Sequence, residues 1–480
     1  MATYLGIDIG TSSVKSILVS ENQNILAEAH SPLTVSRPHP IWSEQDPRDW
    51  WTATQATLDQ LAASNPTEMQ GVAGIGLSGH MHGATLLGAD DQVLRPCILW
   101  NDGRSAAECA ALEARADFRG IGGNVVMPGF TAPKLEWVRN HEPDIFAQVA
   151  KVLLPKDYVR LLLTGEYASE MSDAAGTLWM DVAGRRWSEP LLAATGLSED
   201  QMPKLFEGSA STGTLKPELA ARWGISNAPV VAGGGGDNAA SACGVGAVKP
   251  GGGFLSLGTS GVLFVSTPNY APNTDNAVHA FCHAIPDTWH QMGVILSATD
   301  SLNWLARITG KTPAELSKAA AGPSDSAVTF LPYLSGERTP HNNANARGAL
   351  AGLSQSTEVG DLARAVMEGV GFAFADCLDA LKSAGTQCSE VFAIGGGASS
   401  DNWVQMIADI TGLTLNIPEK GDFGAAFGAA RLGMCAAGAD PITTCSPPKT
   451  ERSFTPNPAE TARYAERLAR FREIYPALNS

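Results

Sequence analysis

The chain has 480 residues, 44 % of them hydrophobic and 17 % charged, which supplies a large core and excludes a mainly disordered chain. At roughly 100–200 residues per domain, this length corresponds to two to four domains and makes an interdomain cleft available. Acidic residues outnumber Lys plus Arg by 49 to 33, a formal charge of −16, which argues against a general partner among nucleic acids or anionic membranes. The expected partner is a small molecule, and an anionic one would need local positive potential from backbone N–H groups, helix ends or a bound cation.

The segment from Met1 to Asp8 has no basic stretch ahead of an apolar run, and no later apolar stretch approaches the ~18–20 residues that span a bilayer. A cytoplasmic location without a membrane partner is expected. The eight cysteines, at 97, 109, 243, 282, 377, 388, 435 and 445, form no C-x-x-C pair. Neither a zinc site nor a disulfide framework is indicated, and reduced structural thiols are expected.

In chain order, Tyr4–Ile9 alternates as a strand, Gly10-Thr11-Ser12-Ser13 turns, and Val14–Val19 forms a second strand. The grouping recurs at Gly253–Leu257, Gly258-Thr259-Ser260-Gly261 and Val262–Val265, so two hairpins with Gly-Thr-Ser tips predict two similar halves. Gly74–Gly79 fits G-x-G-x-x-G with Asp102 beyond it, but a dinucleotide fold needs a helix at the glycines, whereas residues 80–87 stay strand-like and turn at 88–91. His80-x-His82 has no third metal ligand at useful spacing. The run Gly233–Gly236 leads into Asp237-Asn238 and the small residues Ala239–Cys243, which open a helix, and Pro250–Gly253 places a boundary near 245–252. Gly310-Lys311-Thr312 lacks the leading glycine of a phosphate-binding loop. Apolar residues at three-to-four spacing predict helices over 362–372 and 403–410, giving an α/β chain with a helix-rich C-terminal half.

Phosphate chemistry needs donors that approach phosphate oxygens closely, and small residues at a hairpin tip let backbone N–H groups do so. Ordinary tight turns are the competing explanation. Asp8 ends the first strand beside its tip, where a carboxylate can hold the water shell of Mg²⁺. Asp237 follows four glycines, where the backbone can approach a substrate. It suits a general base that takes a hydroxyl proton during attack on a γ-phosphoryl group, or alternatively a helix N-cap. A hydroxyl-rich ligand calls for donors and acceptors such as His82, Asn101, Asp237 and Asn238, with an apolar wall such as Met81 or Trp100. Gly395–Gly397 leaves room for a flat base. Core packing is the expected role of Trp100, Trp137, Trp179 and Trp403, while Trp42, Trp50 and Trp51 are assigned to an interface or a cleft mouth. Lys15 and Arg338 are left outside the catalytic set as solvated or ion-paired side chains, and no cysteine has the surroundings of a nucleophile.

Residues 129–140, Gly-Phe-Thr-Ala-Pro-Lys-Leu-Glu-Trp-Val-Arg-Asn, match the first signature of the FGGY carbohydrate kinases, and residues 395–410 are similar to the second. The chain resembles that family over nearly its whole length. Segments 36–47, 81–85, 100–104, 235–240 and 334–342 resemble members acting on a ketopentose, with His80 standing where that pattern has Gln. The resemblance implies two ribonuclease-H-like lobes of the actin and hexokinase type, an N-terminal lobe at 1–245 and a C-terminal lobe at 246–480, with ATP and sugar meeting in the cleft. It implies ATP-dependent phosphorylation of D-xylulose to D-xylulose 5-phosphate with Mg²⁺. In that reading Asp237 is the base, Met81 and His82 contact the sugar, and Asp8 serves the metal through water. Thr11, Ser12, Gly258 and Thr259 lie by the phosphates, and Gly396, Gly397, Asp401 and Asn402 line the nucleoside pocket. A homodimer is admissible. The rival readings are another FGGY sugar or polyol kinase acting on ribulose or a deoxy-xylulose, a non-catalytic actin-like ATP-binding protein, and an NAD-dependent dehydrogenase resting on residues 74–79 alone.

Overall fold

The computed structural model describes residues 2–322 and 326–478. Its frame is a pair of mixed sheets with the same strand order. In the first, β1 (Thr3–Ile9), β2 (Ser13–Ser20) and β3 (Ile25–Pro32) form an antiparallel meander. On the other side of β1 lie β4 (Val72–Gly79) and β5 (Val230–Ala232), both parallel to it, so the order is β5-β4-β1-β2-β3.

The second sheet repeats this plan. Strands β6 (Gly253–Leu257), β7 (Gly261–Thr267) and β8 (Trp289–Ile295) form the meander, and β9 (Glu390–Ile394) and β10 (Thr414–Pro418) extend it in parallel, giving β10-β9-β6-β7-β8. Each sheet carries one more antiparallel strand beyond its parallel edge, Ser211–Thr214 in the first and Thr450–Phe454 in the second. Both hairpins read from the sequence are therefore strands one and two of equivalent sheets, and the duplication is architectural.

Gly74–Gly79 lies inside β4 and opens no helix, which removes the geometry a dinucleotide fold requires. Gly310 is the left-handed C-cap of one helix and Thr312 the N-cap of the next, so that tripeptide is a helix-to-helix turn. Among the described residues, no helix is long and apolar enough to cross a membrane.

The predicted helices are present but longer than their periodic cores. Residues 362–372 fall within α2 (Val359–Ser383), and 403–410 within α3 (Asp401–Thr411), which follow α1 (Asp237–Val245). The N-terminal half is helical too, for example over Pro47–Ser64. Leu5, Ile7 and Ile9 of β1 point into one apolar core, and a second core surrounds α2, whose residues from Ala363 to Leu378 are all buried.

One connection ties the halves together. Helix α4 (Ala425–Ala436) comes from the C-terminal half yet packs on the first sheet and on α1. The approach is so close that a Cβ on Gly6 would stand 1.9 Å from the Ala426 carbonyl oxygen, and one on Gly76 only 1.7 Å from that of Ala429. Gly428 of α4 would likewise meet the Ala240 carbonyl at 1.7 Å. Glycine at these positions is what lets backbone rest on backbone.

Candidate active site

The glycine run before Asp237 is held from below. Gly235 and Gly236 pair with Ser78 and Gly79 of β4, and Gly234 takes a left-handed conformation at φ 78°. Arg160 donates to the Gly233 carbonyl, and the Gly236 N–H donates to the Ser172 hydroxyl at 3.1 Å. Beneath lies a fully buried ionic group: Lys156 Nζ contacts Asp157 at 2.8 Å, Asp173 at 3.1 Å and Glu170 at 3.3 Å. Burial and the Asp157 and Glu170 charges push the Asp173 pKa up, against the pull of Lys156. Arg160 adds a second cation to the group through its pair with Asp157.

This frame delivers Asp237 as the first residue of α1, with Gly236 as the N-cap. Its Oδ1 accepts from Asn238 N–H at 2.7 Å and from Asn238 Nδ2 at 2.9 Å, and Oδ2 has no hydrogen-bond partner among the described residues. Burial, followed by the nearby Asp8 charge, raises its pKa to about 6. Asp8 lies opposite Ser78 on β4 and Lys15 on β2. Burial and Asp422 raise the Asp8 pKa, while the Ser78 hydroxyl and Lys15 pull it down. Its Oδ1 is buried without a hydrogen-bond partner among the described residues.

Two cavities flank this centre. The first, about 290 Å³, is lined by Asp237, Asn238, Met81, His82 and Trp100, and by Phe130, His279, Phe281 and Arg338, which sequence reasoning did not assign. His82 takes a left-handed backbone at φ 72°, and its carbonyl is gripped by Lys134 Nζ at 3.1 Å and Thr131 Oγ1 at 3.2 Å. The first signature segment thus works by clamping the turn that presents His82. Its ring Nδ1 is 2.9 Å from the Gly176 carbonyl and so must donate, which makes Nε2 an acceptor. Burial and Lys134 depress its pKa to about 3, so the ring is neutral. His80, by contrast, is buried edge-on against Trp50 and does not line the cavity.

The second cavity, about 660 Å³, is lined by Gly396, Gly397, Asp401, Asn402, Trp403 and Thr299, among others. The tip of the β6–β7 hairpin lies between the two spaces. Ser256 and Ser260 face the first cavity, while the Gly258 carbonyl accepts from Thr299 N–H at 2.9 Å and Thr299 Oγ1 at 2.8 Å on the side of the second. The Thr259 carbonyl accepts from Ala298 N–H at 2.8 Å. Gly395 rests on this tip so closely that a Cβ would stand 2.9 Å from the Leu257 carbonyl. Asp401 is ion-paired to Arg452, and Asn402 Nδ2 is buried without a partner among the described residues.

Several expectations change. Asn101, expected beside the sugar, is exposed and outside the cavity lining. Thr11 is engaged by Trp100, whose Nε1 donates to Thr11 Oγ1 at 3.1 Å, and Ser12 is exposed at its tip. Trp100, offered both as an apolar wall of the site and as core packing, is 44 % exposed on a turn and lines the first cavity, whereas Trp137, Trp179 and Trp403 are buried. Trp50, assigned to an interface or the cleft mouth, is a core residue that donates to Gln45. Lys15 pairs with Asp422 and Glu28 as an ordinary ion pair. Arg338 was set aside as a solvated or ion-paired side chain, yet it lines the first cavity.

Two sheets of one topology around a cleft, each with a glycine-tipped hairpin, define a two-lobed ribonuclease-H-like fold of the actin and hexokinase type. Residues 3–244 match the N-terminal domain, and residues 253–437 the C-terminal domain, of the FGGY family of carbohydrate kinases, and the chain belongs to that family. It is 52 % identical to the xylulose kinase of Escherichia coli strain K12, over 99 % of each chain. Among solved structures, a xyloylose kinase from Brucella ovis superposes with a TM-score of 0.98 at 56 % identity, over 99 % of each chain. A gluconate kinase from Lactobacillus acidophilus has a TM-score of 0.91 at 27 % identity, covering 99 % of this chain and 98 % of its own.

Proposed function

We propose that this chain transfers the γ-phosphoryl group of ATP to the terminal hydroxyl of D-xylulose, giving D-xylulose 5-phosphate and ADP, with the sugar held by the N-terminal lobe at 1–245 and the nucleotide by the C-terminal lobe at 246–480. The observation that carries the reading is a carboxyl group whose pKa is raised to about 6, at the wall of a cavity of about 290 Å³ next to a glycine-tipped hairpin, with one oxygen unengaged among the described residues. The sugar assignment is supported by the full-length likeness to xylulose kinases.

Asp237 Oδ2 takes the proton of the attacking hydroxyl, the new O–P bond forms, and the bond between the γ-phosphorus and the bridging oxygen breaks toward ADP. Asn238 keeps the carboxylate oriented through Oδ1. His82 Nε2 accepts a sugar hydroxyl, and Met81 and Trp100 bound the carbon chain. The N–H groups near Thr11, Ser12, Gly258 and Thr259 serve the phosphates. Gly396 and Gly397 leave a flat slot for adenine, bordered by Asp401 and Asn402. The unpartnered buried oxygen of Asp8 suits a water ligand of Mg²⁺, which when bound offsets phosphate charge. Closure of the lobes over the sugar excludes water, so ATP hydrolysis without sugar is expected to be slow.

The test is ADP release measured over a panel of sugars. D-xylulose is expected to be turned over best, and Asp237→Ala to abolish turnover at saturating Mg·ATP. Stronger activity on L-ribulose, gluconate or glycerol would overturn the sugar, and near-normal activity of Asp237→Ala would overturn the mechanism.

A further inference from the structure

The wall of the sugar-side cavity carries a cation that the reaction described above does not use. Among the described residues lining that space, the charged donor is the Arg338 guanidinium, and it forms no ion pair with a carboxylate among the described residues. Its neighbour Glu337 is engaged by the backbone instead: Oε1 accepts the N–H groups of Arg338 at 2.7 Å and Leu296 at 3.1 Å, and burial raises the Glu337 pKa while those bonds and the Arg338 charge lower it.

Arg338 is held instead by a relay of fixed polarity. Asn124 Nδ2 donates to the carbonyls of Gly122 at 2.9 Å and Ala280 at 3.0 Å, which fixes the amide and makes its Oδ1 the acceptor. His279 Nδ1 is 3.1 Å from that oxygen and must donate to it, so His279 Nε2 carries a lone pair. Arg338 Nη1 donates to this Nε2 at 3.3 Å. One guanidinium N–H is thereby used, and the others remain for a ligand.

The relay and the base line the same cavity and are joined along its wall. Gly236 backs onto Met81, His82 meets Phe130 edge-on at 4.8 Å, Phe130 meets His279 at 5.4 Å, and His279 holds Arg338. A ketopentose bound between them presents its terminal hydroxyl to Asp237 and its other end to Arg338. Chemistry fixes what that end is. A 2-ketopentose closes its ring through the terminal oxygen, so the hydroxyl that attacks phosphorus is free only in the open chain, where C2 is a carbonyl. A carbonyl oxygen only accepts hydrogen bonds and guanidinium only donates them. A hydroxyl at the same position can also accept, but its proton then needs a second acceptor. His279 Nε2 is already taken, and the side chains beside it, Phe281 stacked on its ring and Met292 opposite it on the next strand, carry no oxygen or nitrogen acceptor, the lining hydroxyls Ser256 and Ser260 being carried on the β6–β7 hairpin. An unsatisfied buried donor costs about 1–3 kcal/mol.

We propose that Arg338 is a specificity-determining residue that binds the C2 carbonyl oxygen of the open-chain ketose and thereby separates ketoses from the corresponding polyols. This rests on the D-xylulose reading above.

The experiment compares KM for D-xylulose with the competitive Ki of D-arabitol and xylitol, its C2-reduced forms, in the wild type, Arg338→Gln and Arg338→Lys. Glutamine offers an acceptor as well as a donor, whereas lysine remains donor-only. In the wild type, KM for the ketose is expected at least tenfold below Ki for the polyols. Arg338→Gln is expected to raise the ketose KM at least tenfold and bring the two constants within threefold of each other. Arg338→Lys is expected to keep their order, and thermal melts and circular dichroism spectra of both variants are expected to match the wild type, which reports that they fold. Equal weakening of ketose and polyols, or an effect confined to KM for ATP, overturns the inference. Absence of D-xylulose turnover in the wild type instead removes the reading on which it rests.

Discussion

Replacing Asp237 by asparagine is expected to stop turnover and to stabilise the protein at the same time. The substitution keeps Oδ1 as the acceptor for both Asn238 donors and removes only the charge. Folding lifts the Asp237 pKa from 3.8 to about 6 through burial and the Asp8 charge, so the ionised form is penalised in the folded state. At about 1.4 kcal/mol per pH unit that rise corresponds to about 3 kcal/mol, and water in the open cleft reduces it to about 1–2 kcal/mol. A raised carboxylate pKa favours folding below the unfolded value, and this contribution is lost as pH climbs through the folded value. The advantage of the asparagine variant is therefore full at pH 8, about half as large at pH 5, and gone below both pKa values. Thermal melts of both proteins at pH 5 and pH 8 measure this, alongside kcat, which loses about 10²–10⁴-fold with the general base. A variant that melts below the wild type at pH 8, or a difference that does not shrink at pH 5, would refute the argument that this carboxylate is held against its electrostatic preference.

The wild-type kcat/KM for sugar is expected to fall on the acid side with a midpoint near pH 6, and a limb near pH 4 would place the proton acceptor elsewhere. Gly428→Ala puts a methyl 1.7 Å from the Ala240 carbonyl and must push α4 off α1, so both stability and kcat should drop, by more than the ~1–3 kcal/mol of ordinary overpacking. Gly396→Ala meets nothing within 4 Å, whereas Gly397→Ala meets Leu257 at 2.5 Å. Melting should therefore be unchanged in the first and lowered in the second, and a raised KM for ATP in Gly396→Ala would report a contact with nucleotide. Lys156→Met leaves the buried Glu170 without its cation beneath the glycine run, while Asp157 keeps Arg160, and should cost about 3–5 kcal/mol in denaturant unfolding.

The features legible in the sequence were those written locally. Alternating residues around Gly-Thr-Ser tips gave both hairpins, and their repetition foretold equivalent sheets. A carboxylate after four glycines marked a place where backbone approaches a ligand, and two long signatures carried the family. What stayed hidden depends on distant partners. Arg338 and His279 reach the same cavity as Asp237 from a loop and a strand of the other half, and nothing near them in sequence announces it. Trp50 and Trp100 are indistinguishable by type, but one is on the inner face of a helix and the other on a turn. The seat of α4 on the first sheet was the largest omission, because amphipathic spacing says that a helix has an inner face and not which sheet covers it. The signal was nevertheless present in small residues at alternate positions of β4, Gly74 and Gly76, matched by Ala429 and Gly433 of α4.

That seat has a consequence for biosynthesis. Strands β1, β2 and β4 leave the ribosome long before residues 425–436, so the face they turn toward α4 stays uncovered through most of translation, and a polypeptide ending at residue 245 would keep it bare. The nascent chain thus completes its earliest sheet with one of its latest helices, and the same stitch joins its N- and C-terminal halves.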